Sequence, residues 1–327
     1  MNFIHHKLGA FFNPERFQGW GKQRSYFEGW YFKVLNTDAS KAYAFIPGIA
    51  MDEQGKRHAF IQVLDGKKKT AAYHRYPFDA FIPAPDRFHV TLGEGNSFSA
   101  QHVNMDVGNL SASLQFSGNI PWPKPFYAPG IMGPFSFVPF MECYHGIVSM
   151  DHHITGTITD QGEVIDMNGG RGYLEKDWGR SFPSAYIWMQ GNHFSRPGIS
   201  LKTSVARVPW MGYAFTGFIS GLWLDDRLIR FTTYNGTRLR KCMANQEEVS
   251  IVLENRKYRL ELLVKRDQAT GLSSPIRGLM EGRIEESMGS VLHLQLSATL
   301  TGKLIHQDIC PYAALEVAGD IQLICTN

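Results

Sequence analysis

Strict alternation of apolar and polar side chains is the pattern that most limits what this chain can become. Tyr258, Leu260, Leu262 and Val264 alternate with Arg259, Glu261 and Lys265, and Leu292, Leu294, Leu296, Ala298 and Leu300 alternate with His293, Gln295, Ser297 and Thr299. A period of two puts one set on a core face and the other toward solvent, as in half-buried antiparallel strands. Turn pairs fall between such runs: Asp65 with Gly66, Gln161 with Gly162, and Asn235 with Gly236, the last suited to a tight hairpin. No long stretch carries helical periodicity. The pattern predicts an all-β chain built as antiparallel barrels or sandwiches.

At 327 residues the chain exceeds the usual single core, so two units are expected. A break around the second motif described below divides them into residues 1–178 and 179–327. With 43% hydrophobic and 19% charged residues, the composition excludes a disordered or fibrous chain. The 33 basic and 30 acidic residues are mixed along the chain, which gives no general field for nucleic acid. Lys67, Lys68 and Lys69 form a basic cluster that reads either as a solvated hairpin tip or as an attraction for anionic lipid headgroups. The first residues, MNFIHHKLGAFF, lack the apolar core of a secretion signal, and no apolar run reaches the roughly 20 residues of a membrane helix. A soluble, cytoplasmic protein is therefore expected. Cys143, Cys242, Cys310 and Cys325 show no CxxC spacing, so reduced and mostly buried thiols are expected and a zinc knuckle is not.

From Pro121 to Phe140 the texture changes. Pro121, Pro123, Pro125, Pro129, Pro134 and Pro139 remove ladder donors, so this stretch reads as a long ordered loop. It carries Trp122, Phe126, Tyr127, Ile131, Met132, Phe135 and Phe137. These suit a lid at a pocket mouth, a surface against lipid, or a plain cover over a barrel end.

Two stretches could carry chemistry. In YFEGWYFK, Tyr26, Glu28, Trp30 and Phe32 share one strand face, which sets a carboxylate among three rings. Desolvation should raise the pKa of that acid unless a cation pairs with it; a structural ion pair to Arg24 or a distant arginine is the competing reading. Gly29 points to a bulge or a close backbone approach. In GYLEKDWGRSFPSAYIWMQGNHF, Tyr173, Glu175 and Asp177 fall on one face and Leu174, Lys176 and Trp178 on the other. After Pro183, Tyr186, Trp188, Gln190 and Asn192 share a face. Such a mixture suits a pocket with a few placed polar groups, or a polar seam between domains.

Among 12 histidines, His152 and His153 are adjacent and so point to opposite strand faces, which prevents both from binding one metal in regular geometry. His145 reads as a core histidine or as a pocket border. There is no nucleophile elbow, phosphate loop or dinucleotide glycine pattern. No metal and no cofactor are expected.

The two stretches resemble the distinctive motifs of the tocopherol cyclase family, whose plant members have a similar FFEGWYF run and a YxEKNWG run leading through FP to WxWxQCN. Here Asp177 stands where they have Asn, Tyr186 where they have Trp, and Gly191 where they have Cys. The resemblance extends from about residue 14 to near the C-terminus. It implies two lipocalin-like domains, a fold shared remotely with carotenoid hydratases. It also implies cofactor-free conversion of a prenylated hydroquinone into a chromanol by alkene protonation. Related hydratases have a YxDxxWG run whose acid is regarded as the proton donor; Glu175 occupies the matching place and Tyr173 matches its tyrosine. Under this reading Glu175, Tyr173 and Asp177 are catalytic, with Glu28 as the competing acid. Trp30, Tyr26, Tyr186, Trp188, Gln190, Asn192 and Trp178 would hold the substrate. The partner is a small hydrophobic substrate and not nucleic acid, with transient membrane-surface contact left open. A non-catalytic carrier of an isoprenoid is the alternative.

Overall fold

The computed structural model describes residues 3–210 and 212–325. The chain divides into two units, Met1–Phe182 with Ser273–Arg283, and Pro183–Leu272 with Ile284–Asn327. The all-β expectation holds: among the described residues the helix Phe3–Phe11 and three short 3-10 turns accompany 22 strands. That helix is too short to cross a membrane.

The first unit is an antiparallel sheet whose central strands are Tyr26–Leu35 and Gly170–Gly179. Ala42–Met51 and Arg57–Asp65 continue it beyond Tyr26–Leu35, and Cys143–Asp160 continues it beyond Gly170–Gly179. Aromatic and β-branched residues favour the pleated conformation here. Trp30, Phe32, Val34, Phe45, Ile61 and Leu174 pack into one core on one side of the sheet. The opposite face of Tyr26–Leu35 is buried as well, so this strand meets water on neither side. Gly29 pairs with Gly48 without a bulge, and a Cβ at Gly48 would come within 2.5 Å of the Glu28 carbonyl oxygen. The glycines serve a close backbone approach.

In the second unit, Ala185–Gly191 lies between Ser200–Trp210 and Leu304–Gly319. The alternation at 258–264 and 292–298 is expressed directly: Leu260 faces Leu296, Leu262 faces Leu294, and Val264 faces Leu292. All six belong to the unit's core. Leu300 does not continue that face. Its strand ends at Ala298, where the chain turns with the Gly302 N–H donating to the Ala298 carbonyl, leaving Leu300 exposed.

One expectation is corrected. Cys242 and Cys325 are joined in a disulfide closing a separation of 83 residues, while Cys143 and Cys310 remain thiols. Lys67, Lys68 and Lys69 lie at the turn between Arg57–Asp65 and Thr70–Tyr76, where the exposed Lys68 pairs with Asp160 and Asp65.

His152 is buried and His153 exposed, as their opposite faces require. Burial pushes His152 down to about 3. Its ring lies 4.5 Å from that of Phe116, and a side chain at Gly172 would collide with it. Because the unfolded state takes up this proton near pH 6.5 and the folded state only near 3, the contribution is complete above 6.5 and is lost as pH falls. Between pH 7 and pH 4.5 the loss should approach about 3 kcal/mol. Urea midpoints at the two pH values check this, and His152→Gln should flatten the difference; equal slopes for variant and parent would refute the assignment.

Candidate active site

The strand Gly170–Gly179 presents a different chemistry on each face. On one, Tyr173, Glu175 and Asp177 project together, as their spacing requires. The neighbouring strand adds His145, whose Cα is paired with that of Asp177, while Ile147 is paired with Glu175. Beyond Ile147 the register slips, and it slips again past Ser149. Only the first residues of Cys143–Asp160 therefore hold His145 opposite the acids. On the other side of Glu175, Tyr31 is its register partner and Lys33 that of Tyr173.

These groups form a continuous polar chain. The Tyr173 hydroxyl donates to Glu175 Oε2. His145 Nε2 lies 3.3 Å from the same Oε2, and His145 Nδ1–H donates to Asp177 Oδ1 at 2.7 Å. The Cys143 thiol reaches Asp177 Oδ1 at 3.9 Å. Burial, and after it the charge of Glu175, pushes the Tyr173 phenol well above its ordinary value. Tyr173 therefore stays a donor, and a donor to a carboxylate stabilises the anion left after proton loss. Burial, reinforced by Asp177, likewise keeps the Cys143 thiol protonated. Exposure rises along the chain, from side chains at 5% for Glu175 to 13% for His145 and 23% for Asp177. Tyr173 is buried.

His145, Glu175 and Asp177 bring their ligand atoms within 4.8 Å of one another, a set that could hold a cation. The imidazole, however, stands between the acids with a different nitrogen on each. As arranged, with one ring nitrogen toward each acid, the groups are also placed to pass a proton.

The opposite face is committed to structure. Glu28 and Lys176, both fully buried, pair at 2.6 Å. Glu28 also accepts from the Tyr26 hydroxyl at 2.6 Å and the Gln18 N–H at 2.8 Å. Lys176 donates to the Pro14 and Arg16 carbonyls and stands 4.9 Å over Trp30 and 4.6 Å over Trp178. Trp30 stacks on Phe88 at 5.1 Å. The ion-pair reading of Glu28 is thus the observed one, with lysine as the cation in place of an arginine. Tyr26, Trp30 and Trp178 wrap that pair, and Glu28 lies across the sheet from Glu175.

Tyr186, Trp188 and Gln190 lie in the second unit, on the face of Ala185–Gly191 opposite its core residues Ile187 and Met189. All three are buried, as is Asn192 just beyond the strand. Tyr186 donates to Glu316 at 2.8 Å, and Lys202 is the register partner of Gln190. At Gly191 a Cβ would come within 2.9 Å of Cys310 Sγ, so a sulfur from the next strand already fills the space beside this residue.

Residues 109–319 match the tocopherol cyclase-like family. The chain belongs to that family. A rice protein (Oryza sativa subsp. japonica) named "Probable tocopherol cyclase, chloroplastic" is 22% identical, over 91% of this chain and 76% of its own length. Two solved structures share the fold of this tocopherol cyclase-like chain. CghA with Sch210972 matches at a TM-score of 0.55 and 12% identity, covering 90% of this chain and 89% of that one. A structure from Nitrosomonas europaea assigned to AttH matches at a TM-score of 0.51 and 13% identity, covering 90% and 92%.

Sequence reasoning did not single out His145 as a partner of the acids, nor Tyr31 and Lys33 as their neighbours. Only strand register brings them beside the acids.

Proposed function

We propose that this chain is a cofactor-independent cyclase that closes a chromanol-type ring on a prenylated phenol or quinol, with Glu175 as the proton donor. The observation that carries this reading is the chain from Tyr173 through Glu175 and His145 to Asp177, in a family whose rice member is named for tocopherol cyclisation.

The steps balance without an oxidant or reductant. Glu175 gives its proton to the less substituted alkene carbon, and the π pair forms the new C–H bond. The tertiary cation is captured by the phenolic oxygen, which forms the C–O bond and then loses its hydrogen. That proton returns to the Glu175 carboxylate, with His145 placed to carry it and Asp177 holding the imidazole in the tautomer with hydrogen on Nδ1. A buried acid that retains its proton is a weak one. The Tyr173 donor offsets this by stabilising the carboxylate formed as the proton leaves, and alignment of acid, alkene and phenol supplies further acceleration.

Chromatography of the purified protein incubated with a prenylated hydroquinone tests this reading: a chromanol isomer of the substrate supports it, whereas retention of the ligand without conversion assigns the chain to carriage. His145→Ala should lower kcat by about 10²-fold, the lower end of the general acid–base range, with KM little changed. Asp177→Asn, which keeps the hydrogen-bonding shape but removes the charge, should shift the pH profile of kcat. A profile unchanged in both variants would remove the relay from the mechanism.

A further inference from the structure

We propose that the end of the Phe3–Phe11 helix and the 119–142 loop form a docking surface for a lipid bilayer with anionic headgroups. The loop divides its apolar residues sharply. Trp122, Ile131 and Met132 are buried and fasten it to the first unit, whereas Phe140 is 95%, Phe126 81% and Tyr127 64% exposed. Phe12 and Phe137 are partly exposed as well, and Phe11 joins them, its ring 5.1 Å from Phe12 and 5.3 Å from Phe137. Five exposed aromatic side chains, Phe12, Phe126, Tyr127, Phe137 and Phe140, concentrated in these two segments mark an interaction surface.

The backbone holds these rings out. Phe140 has φ of 64°, a left-handed conformation that a bulky residue rarely adopts, and its ring gains almost no burial in return. Prolines stiffen the approach, and the Ser136 hydroxyl donates to the Pro129 carbonyl at 3.3 Å, closing the loop on itself. A pre-ordered aromatic projection enters the headgroup region with little loss of chain entropy.

Charge identifies the occupant. Residues 1–24 contain Lys7, Arg16, Lys22 and Arg24 against the single carboxylate Glu15, and residues 119–142 contain Lys124 and Glu142. Glu15 is itself paired with Lys124 at 2.7 Å. The net charge of the whole chain is +3, the same as that of residues 1–24 alone. A second copy of the chain would bring the same positive charge to the contact, whereas an anionic bilayer complements both the charge and the rings. The Tyr144 hydroxyl donates to the Val138 carbonyl at 2.8 Å and its ring stacks on Trp178 at 5.6 Å. The docking loop is thereby tied to the two strands that carry His145 and Glu175.

The inference stands apart from the acid chemistry, since its test needs no substrate. The full chain should co-sediment with vesicles of mixed phosphatidylglycerol and phosphatidylcholine. Binding should weaken on phosphatidylcholine alone and as salt rises from 0.1 to 0.5 M, where the screening length falls from about 10 Å to less than half of that. The triple substitution Phe126→Ser, Tyr127→Ser, Phe140→Ser should lower the partition coefficient at least about 10-fold with an unchanged circular dichroism spectrum. Because these side chains are exposed, the variant is expected to fold; Phe140→Gly, which also relieves the backbone, is the second probe and should weaken binding in the same sense. Absence of vesicle binding by the parent, or equal binding by parent and variants, overturns the proposal. Self-association that the triple substitution abolishes, without vesicle binding, overturns it in favour of a contact between copies.

Discussion

Glu175→Gln should bind a prenylated quinol as the parent does and turn it over more slowly by a factor of ~10²–10⁴, the range that a general acid supplies. Glutamine preserves the size of the group and its ability to accept from the Tyr173 hydroxyl, so the polar chain keeps its shape while the transferable proton is gone. Ligand affinity by fluorescence quenching and kcat by chromatography separate the two effects. The parallel Glu28→Gln variant is informative because Glu28 lies on the other face of the sheet in an ion pair. It should lose stability, and the fraction that remains folded should keep its kcat. Normal turnover by Glu175→Gln would remove the acid from the mechanism.

The second large effect is on stability. Lys176→Met should destabilise the protein by about 3–5 kcal/mol, because it leaves Glu28 charged, buried and deprived of its cation. Burial pulls the Lys176 ammonium below its ordinary value while the charge of Glu28 opposes that pull, so the pair depends on both members being present. At about 2–4 °C per kcal/mol for a unit of this size, the thermal midpoint should fall on the order of 10 °C. Adding Glu28→Gln to Lys176→Met should recover part of the loss. The coupling energy from the double-mutant cycle measures the pair directly, and a value near zero would contradict its structural role.

These two faces also mark where sequence reasoning reached and where it stopped. Alternation along one strand sufficed to separate Tyr173, Glu175 and Asp177 from Leu174, Lys176 and Trp178, because the side-chain period of a strand is fixed by its backbone. It sufficed equally for the paired leucines at 260–264 and 292–296. What alternation cannot supply is the identity of the neighbouring strand. His145, Tyr31 and Lys33 reach the acids only through pairing between distant segments, and the slips past Ile147 and Ser149 make that register unreadable from local pattern. The same ambiguity left Glu28 and Glu175 as rival acids: each sits among aromatic rings in sequence, and only the pairing of Trp30 with Lys176 reveals that a buried ammonium belongs to Glu28. The Cys242–Cys325 bridge escaped for a related reason, since two cysteines 83 residues apart carry no local sign of proximity. Leu300 shows the opposite error, an alternating pattern continuing past the point where the backbone turns away.

Conversion of a prenylated hydroquinone in deuterated water tests the central claim most directly. Proton delivery from Glu175, whose carboxyl exchanges with solvent, predicts a chromanol carrying one non-exchangeable deuterium at the former alkene CH, visible by mass spectrometry and proton NMR, with formation reduced ~10²–10⁴-fold in Glu175→Gln. A chromanol formed without deuterium at that carbon, or formed equally fast by the variant, would contradict it.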